Sequence, residues 1–484
     1  MERWSSTGAF LLAAIGSAVG IGNIWRFSTV LGQNGGGAYL IPYIIAVFIF
    51  AMPLMILEIT FGQKFRGTIV SAFRQINPRF IIIGWFLCAI VLLILSYYLV
   101  IAGWTLGYTT FALIADAPPF SEFTTSLLPI MFFLIATLVT GLIVSIGVNK
   151  GIERISIILI PVCLIILIIL AVYGVFLPGF HQAIEYLFTP DFSVLGDPLL
   201  WGAAFGQAFF SLSVGEGILL TYGTYMKSGQ HIPRLALIIT IADLFVAFLA
   251  GLVIFPIVFS FGLSPTAGAE LAFTSLPIAF AQMPGGKIIA VAFFAVLFFA
   301  ALTSAISMLE VGVAAVHESL GWTRAKTAAA VTGATILLGL PSAMSYSSLA
   351  LTLNGVKILD FMDETVGTLG LPVAAILLSV SFAWFLPREI LESVLGGKKS
   401  VARWIMPLCR YVIPAVLIMT TIARIASGLG ITNTYLMPGS RYIGFLMQIE
   451  GITAIIVILL VIIIIACRIR GCNISERFGF RNKK

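Results

Sequence analysis

The sequence predicts an all-α polytopic membrane protein with 12 transmembrane helices. Hydrophobic residues make up 60% of the 484-residue chain and charged residues only 10%, whereas soluble proteins carry about 25% charged residues. The apolar residues form twelve runs, each near the length of about 20 residues that a helix needs to cross a bilayer. Basic residues are concentrated in alternate segments between these runs. Together these observations exclude an ordinary soluble enzyme.

The helices are predicted in chain order from the apolar runs and from the short polar segments that separate them. We expect the first run to be a retained helix, because it contains Asn23 and Arg26, which a cleaved leader does not need. The runs cover residues 8–30, 37–62, 81–111, 127–146, 152–177, 197–226, 234–263, 287–316, 324–343, 358–386, 402–427 and 441–467.

The basic residues predict the orientation of these helices. With a cytoplasmic N-terminus, 21 of the 27 Lys and Arg residues lie in inside segments or in the C-terminal tail, as the positive-inside rule requires. We therefore expect a protein integral to the plasma membrane, in contact with lipid, with both termini in the cytoplasm. Segments 112–126, 178–197 and 264–286 are neutral or acidic, as outside loops are, and 388–403 is the clearest cytoplasmic linker. The net charge of +7 forms no basic face, so no nucleic-acid partner is expected.

Residues for other chemistries are scattered along the chain. The five cysteines form no CxxC pair, and the three histidines show no HExxH or i,i+4 pattern for zinc. The run Gly35-Gly36-Gly37 follows no predicted strand and lacks the lysine of a phosphate-binding loop. A GxSxG nucleophile motif is also missing from the sequence. The sequence therefore predicts that the protein is not an enzyme.

Two predicted helices share an unusual centre. The first contains Gly16–Asn23 (GSAVGIGN) and the sixth contains Ser211–Gly217 (SLSVGEG), and each places a Gly-x-Gly and polar groups in mid-span, where they weaken a helix. Close packing of neighbouring helices would explain one such motif. Two breaks, five helices apart, instead indicate the discontinuous helices of a secondary transporter with its binding site near the bilayer midplane.

The residues around these breaks resemble the neurotransmitter:sodium symporter family. The matching motifs are Gly16–Phe27 (GSAVGIGNIWRF), Asn34–Tyr39 (NGGGAY), Trp104–Gly107 (WTLG), Phe209–Tyr225 (FFSLSVGEGILLTYGTY) and Ala300–Ser304 (AALTS). The resemblance covers about residues 4–386. It implies two inverted five-helix repeats, at 1–177 and 178–386, followed by a linker, two helices and a tail at 387–484. It also implies sodium-coupled import of an amino acid or related small zwitterion by alternating access.

The same resemblance implies two Na⁺ sites and no other cofactor. Unwound helix centres expose backbone carbonyl groups, and a hard cation such as sodium binds oxygen ligands. The first site takes the Ala18 carbonyl, Asn23, Ser211 and Asp243, together with the substrate carboxylate. The second site takes the carbonyl groups of Gly16, Val19 and Ala300 and the hydroxyl groups of Thr303 and Ser304.

The two breaks also suggest where the charged ends of a substrate bind. The half-helix after the first break directs N–H groups and its positive dipole end at the midplane, which favours a carboxylate at Gly20 and Gly22. The resemblance adds the hydroxyl group of Tyr98 to this carboxylate site. It implies that Ala18, Phe210, Ser211 and Ser213 accept from the amino group, and that the side-chain pocket contains Ile94, Phe210, Glu216, Ser304 and Met308.

Two positions depart from the family pattern. Asp243 stands where chloride-dependent relatives carry a neutral Asn, so its carboxylate would offset the sodium charge and no chloride requirement is expected. Glu216 stands where relatives usually carry an apolar residue that faces the substrate side chain. Either the substrate is polar or cationic, or Glu216 is protonated or bonded to neighbouring Ser and Thr residues, and the sequence leaves both open.

The resemblance implies a gate on each side of the site. Arg26 and Asp363 match the ion pair of the family's outer gate, and Phe210 matches its aromatic lid. Trp4, Tyr225 and Glu318 match the inner gate. The arginine of the family's inner gate falls at Met1, and Arg3 is the candidate to replace it. Glu58 is expected to accept hydrogen bonds from the broken backbone.

Two alternative functions stay open at this point. Protons could replace sodium as the coupling ion, with Asp243, Glu58 or Glu216 titrating. The chain could also be a sensor that binds an amino acid without transporting it. The sequence likewise leaves open whether the protein forms a homodimer and which amino acid it binds.

Overall fold

The structure is a computed structural model that describes residues 2–114, 117–189, 192–196, 198–266, 271–353, 355–385, 392 and 399–428. Most of the predicted linker and the whole predicted twelfth helix, 441–467, lie outside the described residues. The regular elements are helices and one antiparallel pair of two-residue strands.

The elements are numbered here in chain order. The helices up to the middle of the chain are α1 (Thr7–Ala18), α2 (Gly22–Gln33), α3 (Gly37–Phe65), α4 (Ile69–Ile76), α5 (Pro78–Ile114), α6 (Phe120–Thr125), α7 (Leu128–Ile146), α8 (Val148–Val175) and α9 (Phe180–Phe188). A 3₁₀ turn at Phe192–Gly196 follows. The remaining helices are α10 (Pro198–Ser211), α11 (Ile218–Thr224), α12 (Ile232–Ser260), α13 (Leu271–Gln282), α14 (Gly286–Leu320), α15 (Arg324–Met344), α16 (Ile358–Phe385) and α17 (Ala402–Ile422). Strands β1 (Thr352–Leu353) and β2 (Val356–Lys357) pair between α15 and α16.

The described helices follow the predicted apolar runs. Among the described residues, nine helices are long and apolar enough to cross a membrane, and the bent pair α1 and α2 makes a tenth span. The sixth predicted run is divided between α10 and α11, which are too short to cross separately. The total of twelve stays a prediction, because the last run lies outside the described residues.

Two segments expected to be plain outside loops, 178–197 and 264–286, contain helices α9 and α13. Ala183 and Leu187 of α9 are buried, as are Leu276 and Phe280 of α13. Residues four apart share one face of a helix, so each short helix buries an apolar face against the protein. This tertiary burial stabilises helices too short to be stable alone.

The two broken spans are surrounded by other helices. Helix α1 packs against α8, α12 and α14, and α11 packs against α3. Glycines allow α3 and α11 to approach closely, since a Cβ at Gly62 would lie 1.9 Å from the Leu220 carbonyl oxygen. A Cβ at Gly223 would lie 2.7 Å from the Ile59 carbonyl oxygen. Small residues at helix contacts are characteristic of membrane proteins.

Helix α8 shows a face suited to lipid. Ile158, Ile165 and Ile169 are more than half exposed, whereas Cys163 and Leu167 are buried. Soluble monomers rarely expose contiguous apolar stripes of this kind. The exposed face of α8 therefore fits a hydrocarbon environment.

Candidate functional site

The first break lies between α1 and α2, which meet at an angle of 51°. There the N–H of Gly20 donates to Asn23 Oδ1 (3.0 Å), and the N–H of Ile21 donates to the Tyr98 hydroxyl oxygen (3.2 Å). A side chain at Gly20 has no room, because a Cβ would lie 2.6 Å from Ser304 Oγ and 2.9 Å from the Tyr98 hydroxyl oxygen. The freed N–H groups and Tyr98 thus meet at the point where the sequence predicts the substrate carboxylate.

The second break lies between α10 and α11. The backbone has a positive φ at Ser213 (51°), Gly215 (93°) and Gly217 (69°), which is incompatible with a continuous right-handed helix. The Ser213 hydroxyl donates to the Ser17 carbonyl oxygen in α1 (2.9 Å), which ties the two breaks together. The N–H of Gly215 donates to Glu58 Oε1 (2.6 Å), so Glu58 accepts from the broken backbone as its position predicts.

Three residues of the predicted first sodium site are in mutual contact. Asn23 Nδ2 lies 2.9 Å from Ser211 Oγ and 2.5 Å from Asp243 Oδ1. The Ser211 hydroxyl lies 3.0 and 3.1 Å from the two Asp243 carboxyl oxygens, and all three side chains are buried. Ala18, the fourth predicted ligand, is the last residue of α1 and directly precedes the break. A cation would require the Asn23 amide to rotate, because its nitrogen now faces Asp243.

The predicted second sodium site lies between α1 and α14. The Ser304 hydroxyl lies 3.4 Å from the Gly16 carbonyl oxygen, and the Thr303 hydroxyl donates to the Ala300 carbonyl oxygen (3.0 Å). A Cβ at Gly16 would lie 3.3 Å from Thr303 Cβ, so the two helices touch here. Val19 follows α1 directly and leaves the helical conformation, with ψ at 92°. The structure therefore brings four of these residues together and places Val19 at the adjoining break.

A cavity of about 610 Å³ leads to this region past Arg26 and Asp363. Phe210 lines the cavity next to Gly22, where a Cβ would lie 2.8 Å from the Phe210 ring. The Arg26 guanidinium stacks 4.6 Å from the centre of the same ring and donates to Gln207 Oε1 (3.2 Å). Among the described residues Arg26 and Asp363 form no ion pair. The predicted outer pair is therefore open in this structure.

The remaining residues of the predicted side-chain pocket are buried. Ile94, Ser304 and Met308 are at most 3% exposed, and Glu216 is 1% exposed. Within the described part of the chain, neither carboxyl oxygen of Glu216 has a hydrogen-bond partner. The structure therefore shows no bond from Glu216 to neighbouring Ser or Thr residues, and the interpretations that stay open are a protonated Glu216 and a polar or cationic substrate.

The opposite end of the site is closed by the N-terminal segment. Trp4 donates from Nε1 to the Tyr222 carbonyl oxygen (2.9 Å) and from its backbone N–H to the Tyr225 carbonyl oxygen (3.1 Å). The Tyr225 hydroxyl donates to Glu310 Oε1 (2.7 Å), and Arg324 binds both Glu310 carboxyl oxygens, at 3.2 and 2.6 Å. Trp4 and Tyr225 thus meet, next to the ion pair of buried Glu310 with partly buried Arg324.

The other predicted members of the inner gate lie elsewhere. Glu318 is exposed, and its Oε2 accepts from the N–H of Thr68 (3.0 Å) at the start of α4, where a helix favours an acid. Arg3 is exposed and, among the described residues, forms no ion pair. Glu310, which lies about two turns before Glu318 on α14, is the acid that contacts Tyr225 and Arg324 at the inner end. The sequence could have indicated Glu310, because it is an acid within the apolar run 287–316 and acids inside a membrane are functional candidates by default.

Comparison with known proteins agrees with this architecture. Residues 1–127 and 120–469 match the Sodium:neurotransmitter symporter family. The uncharacterized sodium-dependent transporter YhdH of Bacillus subtilis is 35% identical, over 86% of this chain and 96% of its own. An uncharacterized sodium-dependent transporter of Methanocaldococcus jannaschii is 34% identical, over 79% of this chain and 82% of its own.

A solved structure shows the same fold. The crystal structure of MhsT in complex with L-phenylalanine has a TM-score of 0.82 and 36% sequence identity, and the match covers 87% of this chain and 99% of MhsT. The predicted fold and family are thereby confirmed, and the protein is integral to a membrane. Because members of this family are transporters, the prediction that the chain is not an enzyme is also confirmed. The chain belongs to the sodium:neurotransmitter symporter family.

Proposed function

We propose that the protein is a sodium-coupled symporter that imports an amino acid or related small zwitterion by alternating access, without a chloride requirement. The contact of Asn23, Ser211 and Asp243 at the first break carries the proposal. It joins a buried carboxylate to a hydroxyl group and to an amide group whose oxygen would face the ion after rotation, and a buried charge needs a compensating partner. Sodium fits this donor set, since a hard cation binds oxygen ligands.

The opposed polarity of the two breaks supports a zwitterionic substrate. At the first break the N–H of Gly20 donates to Asn23 Oδ1 and the N–H of Ile21 donates to the Tyr98 hydroxyl oxygen, and N–H groups at a helix start bind carboxylates. The carbonyl groups near Ser211 and Ser213, at the second break, suit an amino group. MhsT, which shares the fold, binds L-phenylalanine in its crystal structure. These observations favour an amino acid as the class of substrate.

Chloride independence is proposed from the charge of Asp243. Asp243 is fully buried and contacts Asn23 and Ser211 through its carboxyl oxygens. A fixed negative charge at this point neutralises a bound sodium ion, so no mobile anion is needed there. A second sodium ion would bind between α1 and α14, at Gly16, Ala300, Thr303 and Ser304 with Val19.

The asymmetry of the two ends supports alternating access. The cavity at Arg26 and Asp363 reaches Phe210, whereas Trp4, Tyr225 and Glu310 seal the other end. The sealed end lies at the N-terminal segment, and the distribution of Lys and Arg assigns this end to the cytoplasm. We therefore propose that the structure represents a state open toward the outside, with both termini in the cytoplasm. In that state the gate pair Arg26–Asp363 is open.

The test is uptake of radiolabelled amino acids into proteoliposomes that hold the full chain. Each amino acid is offered under an inward sodium gradient, an inward proton gradient or no gradient, with chloride or with gluconate. Uptake driven by sodium, equal in chloride and gluconate, is the expected result. Uptake driven only by protons would contradict the sodium assignment, and binding without uptake or exchange would show a sensor.

A further inference from the structure

We infer that Glu216 binds a cationic group on the substrate side chain, so that the transporter prefers amino acids with a side-chain ammonium or guanidinium group. The inference rests on the proposed function, because it concerns the same substrate pocket. Its starting point is the conformation of the second break. Gly215 and Gly217 flank Glu216, and a Cβ at either would lie within 2.8 Å of Ala375 or Ile69 respectively. Packing against α16 and α4 therefore holds the backbone of Glu216 in place.

Glu216 differs from the other buried acids near the site in lacking a partner. Among the described residues, both of its carboxyl oxygens are without hydrogen bonds, and no Lys or Arg nitrogen lies within ion-pair distance. The partners of the other acids are Gly215 for Glu58, Asn23 and Ser211 for Asp243, and Arg324 for Glu310. An unpaired buried carboxylate is strongly unfavourable, so Glu216 must take up either a proton or an additional ligand.

The charges around the two breaks indicate that this ligand is a cation. Glu58, Asp243 and Glu216 are buried there, and Glu58 accepts from the N–H of Gly215, the residue next to Glu216. With all three groups ionised, two sodium ions would offset two of the carboxylates, and the backbone groups of a zwitterion would add no net charge. One negative charge would then remain. A cationic substrate side chain neutralises it.

The position of Glu216 fits contact with the substrate. It lies in the second break, six residues after Phe210, which lines the cavity, and three residues after Ser213, whose hydroxyl donates to the Ser17 carbonyl oxygen in the first span. Tyr98, which also lines the cavity, meets the N–H of Ile21 in the first break, where the substrate carboxylate is proposed. A lysine or arginine side chain extends several bonds from Cα and can reach a second charged group while its backbone groups stay at the breaks. Glu216 thus lies in the break that forms one side of the proposed backbone site.

The experiment measures binding to the purified full chain in sodium. It compares L-lysine with L-norleucine and L-arginine with L-citrulline, which are pairs of similar shape that differ in the side-chain charge. We expect the wild-type protein to bind the charged member at least about 30-fold more tightly, and Glu216→Gln to remove this preference. Glu216→Asp should retain part of it. Glu185→Gln, which removes an exposed acid on α9, is the matched control and should behave as wild type.

The outcomes separate this inference from the proposed function. A wild-type protein that binds the neutral member as well as the charged one overturns the inference, whether or not the variants fold. So does neutral-substrate binding that weakens with rising pH in wild type but not in Glu216→Gln, because the ligand of Glu216 is then a proton. Lysine-selective binding without sodium-driven uptake would support the inference and contradict the symporter. Sodium-driven norleucine uptake without any charge preference would support the symporter and contradict the inference about Glu216.

Discussion

At the scale of single residues, the buried charges decide what the site can bind. Asp243 contacts Asn23 and Ser211 but no cationic side chain among the described residues, whereas Glu310 is paired with Arg324. The charge of Glu310 is thus compensated within the protein, whereas that of Asp243 would need a bound ion to compensate it. The two acids therefore lead to different predictions.

Replacing Asp243 by Asn is expected to weaken sodium binding. The sodium concentration for half-maximal uptake should rise at least about tenfold, because a buried opposite charge is lost. If Asp243 replaces chloride, uptake by Asp243→Asn should also become faster in chloride than in gluconate. Sodium titrations of uptake in both anions measure this, with Glu185→Gln as the control. An unchanged sodium dependence would contradict the assignment of Asp243.

Replacing Arg324 by Ala is expected to open the inner end. Glu310 would be left buried and unpaired, at a cost of about 3–5 kcal/mol, and the contact through Tyr225 to Trp4 would loosen. Amide hydrogen exchange of residues 2–10 should become faster, as mass spectrometry can measure. Arg74→Ala, at an exposed position on α4, is the control. Removing both charges with Glu310→Gln and Arg324→Gln should be milder, and equal exchange in all variants would show that the pair does not hold the inner end closed.

At the scale of the element, the breaks in the two discontinuous spans are held by side chains from other helices. Glu58 of α3 binds Gly215 in the second break, and Tyr98 of α5 binds Ile21 in the first. Ser213 joins one break to the other through Ser17. Backbone groups in a membrane must be satisfied by protein or ligand. These contacts therefore stabilise the unwound shape on which both ion and substrate binding depend.

Replacing Gly20 by Ala tests this shape. Its Cβ would lie 2.6 Å from Ser304 Oγ, so we expect uptake to fall at least about tenfold, which corresponds to roughly 1.4 kcal/mol of lost binding or strain. Gly333→Ala on α15 is the matched control, since its Cβ would meet nothing within 4 Å. That change should preserve uptake and slightly stabilise the helix. Normal uptake by Gly20→Ala would show that the first break has more room than this packing indicates.

At the scale of the whole molecule, a cavity at one end and a seal at the other describe one state of a transport cycle. The cavity is lined by Asn34 and Tyr98 among other residues, and the sealed end contains Trp4, Glu310 and Arg324. Both proposed sodium sites join α1 or α2 to other helices. Sodium should therefore hold these helices together and stabilise the folded protein as a whole.

Sodium is expected to raise the Tm of the purified protein. An ion at 100 times its Kd stabilises the folded state by about 2.7 kcal/mol, so sodium chloride should raise Tm above that in choline chloride at equal ionic strength. Sodium gluconate should be as effective as sodium chloride, because no chloride site is proposed. The shift should shrink in Asp243→Asn. The same Tm in sodium and choline would contradict both sodium sites.

Much of the fold was predictable because it depends on local sequence. The length of an apolar run determines whether a helix can cross a bilayer, and the runs at 37–62 and 287–316 appear as α3 and α14. The positions of the breaks were also predictable, since Gly-x-Gly weakens a helix wherever it occurs. Helices α9 and α13 were not predicted, because packing against the protein stabilises them.

The sequence by itself determined the family, the apolar spans, the two breaks and the set of oxygen groups near them. Only the tertiary structure decided which distant groups meet. It paired Glu310 with Arg324 in place of Glu318, left Arg26 apart from Asp363, and showed Glu216 without a partner. The physical reason is that helix length and helix breaks follow from neighbouring residues, whereas a charged contact depends on how separate helices pack. The sequence lists the charges, and the packing selects their partners.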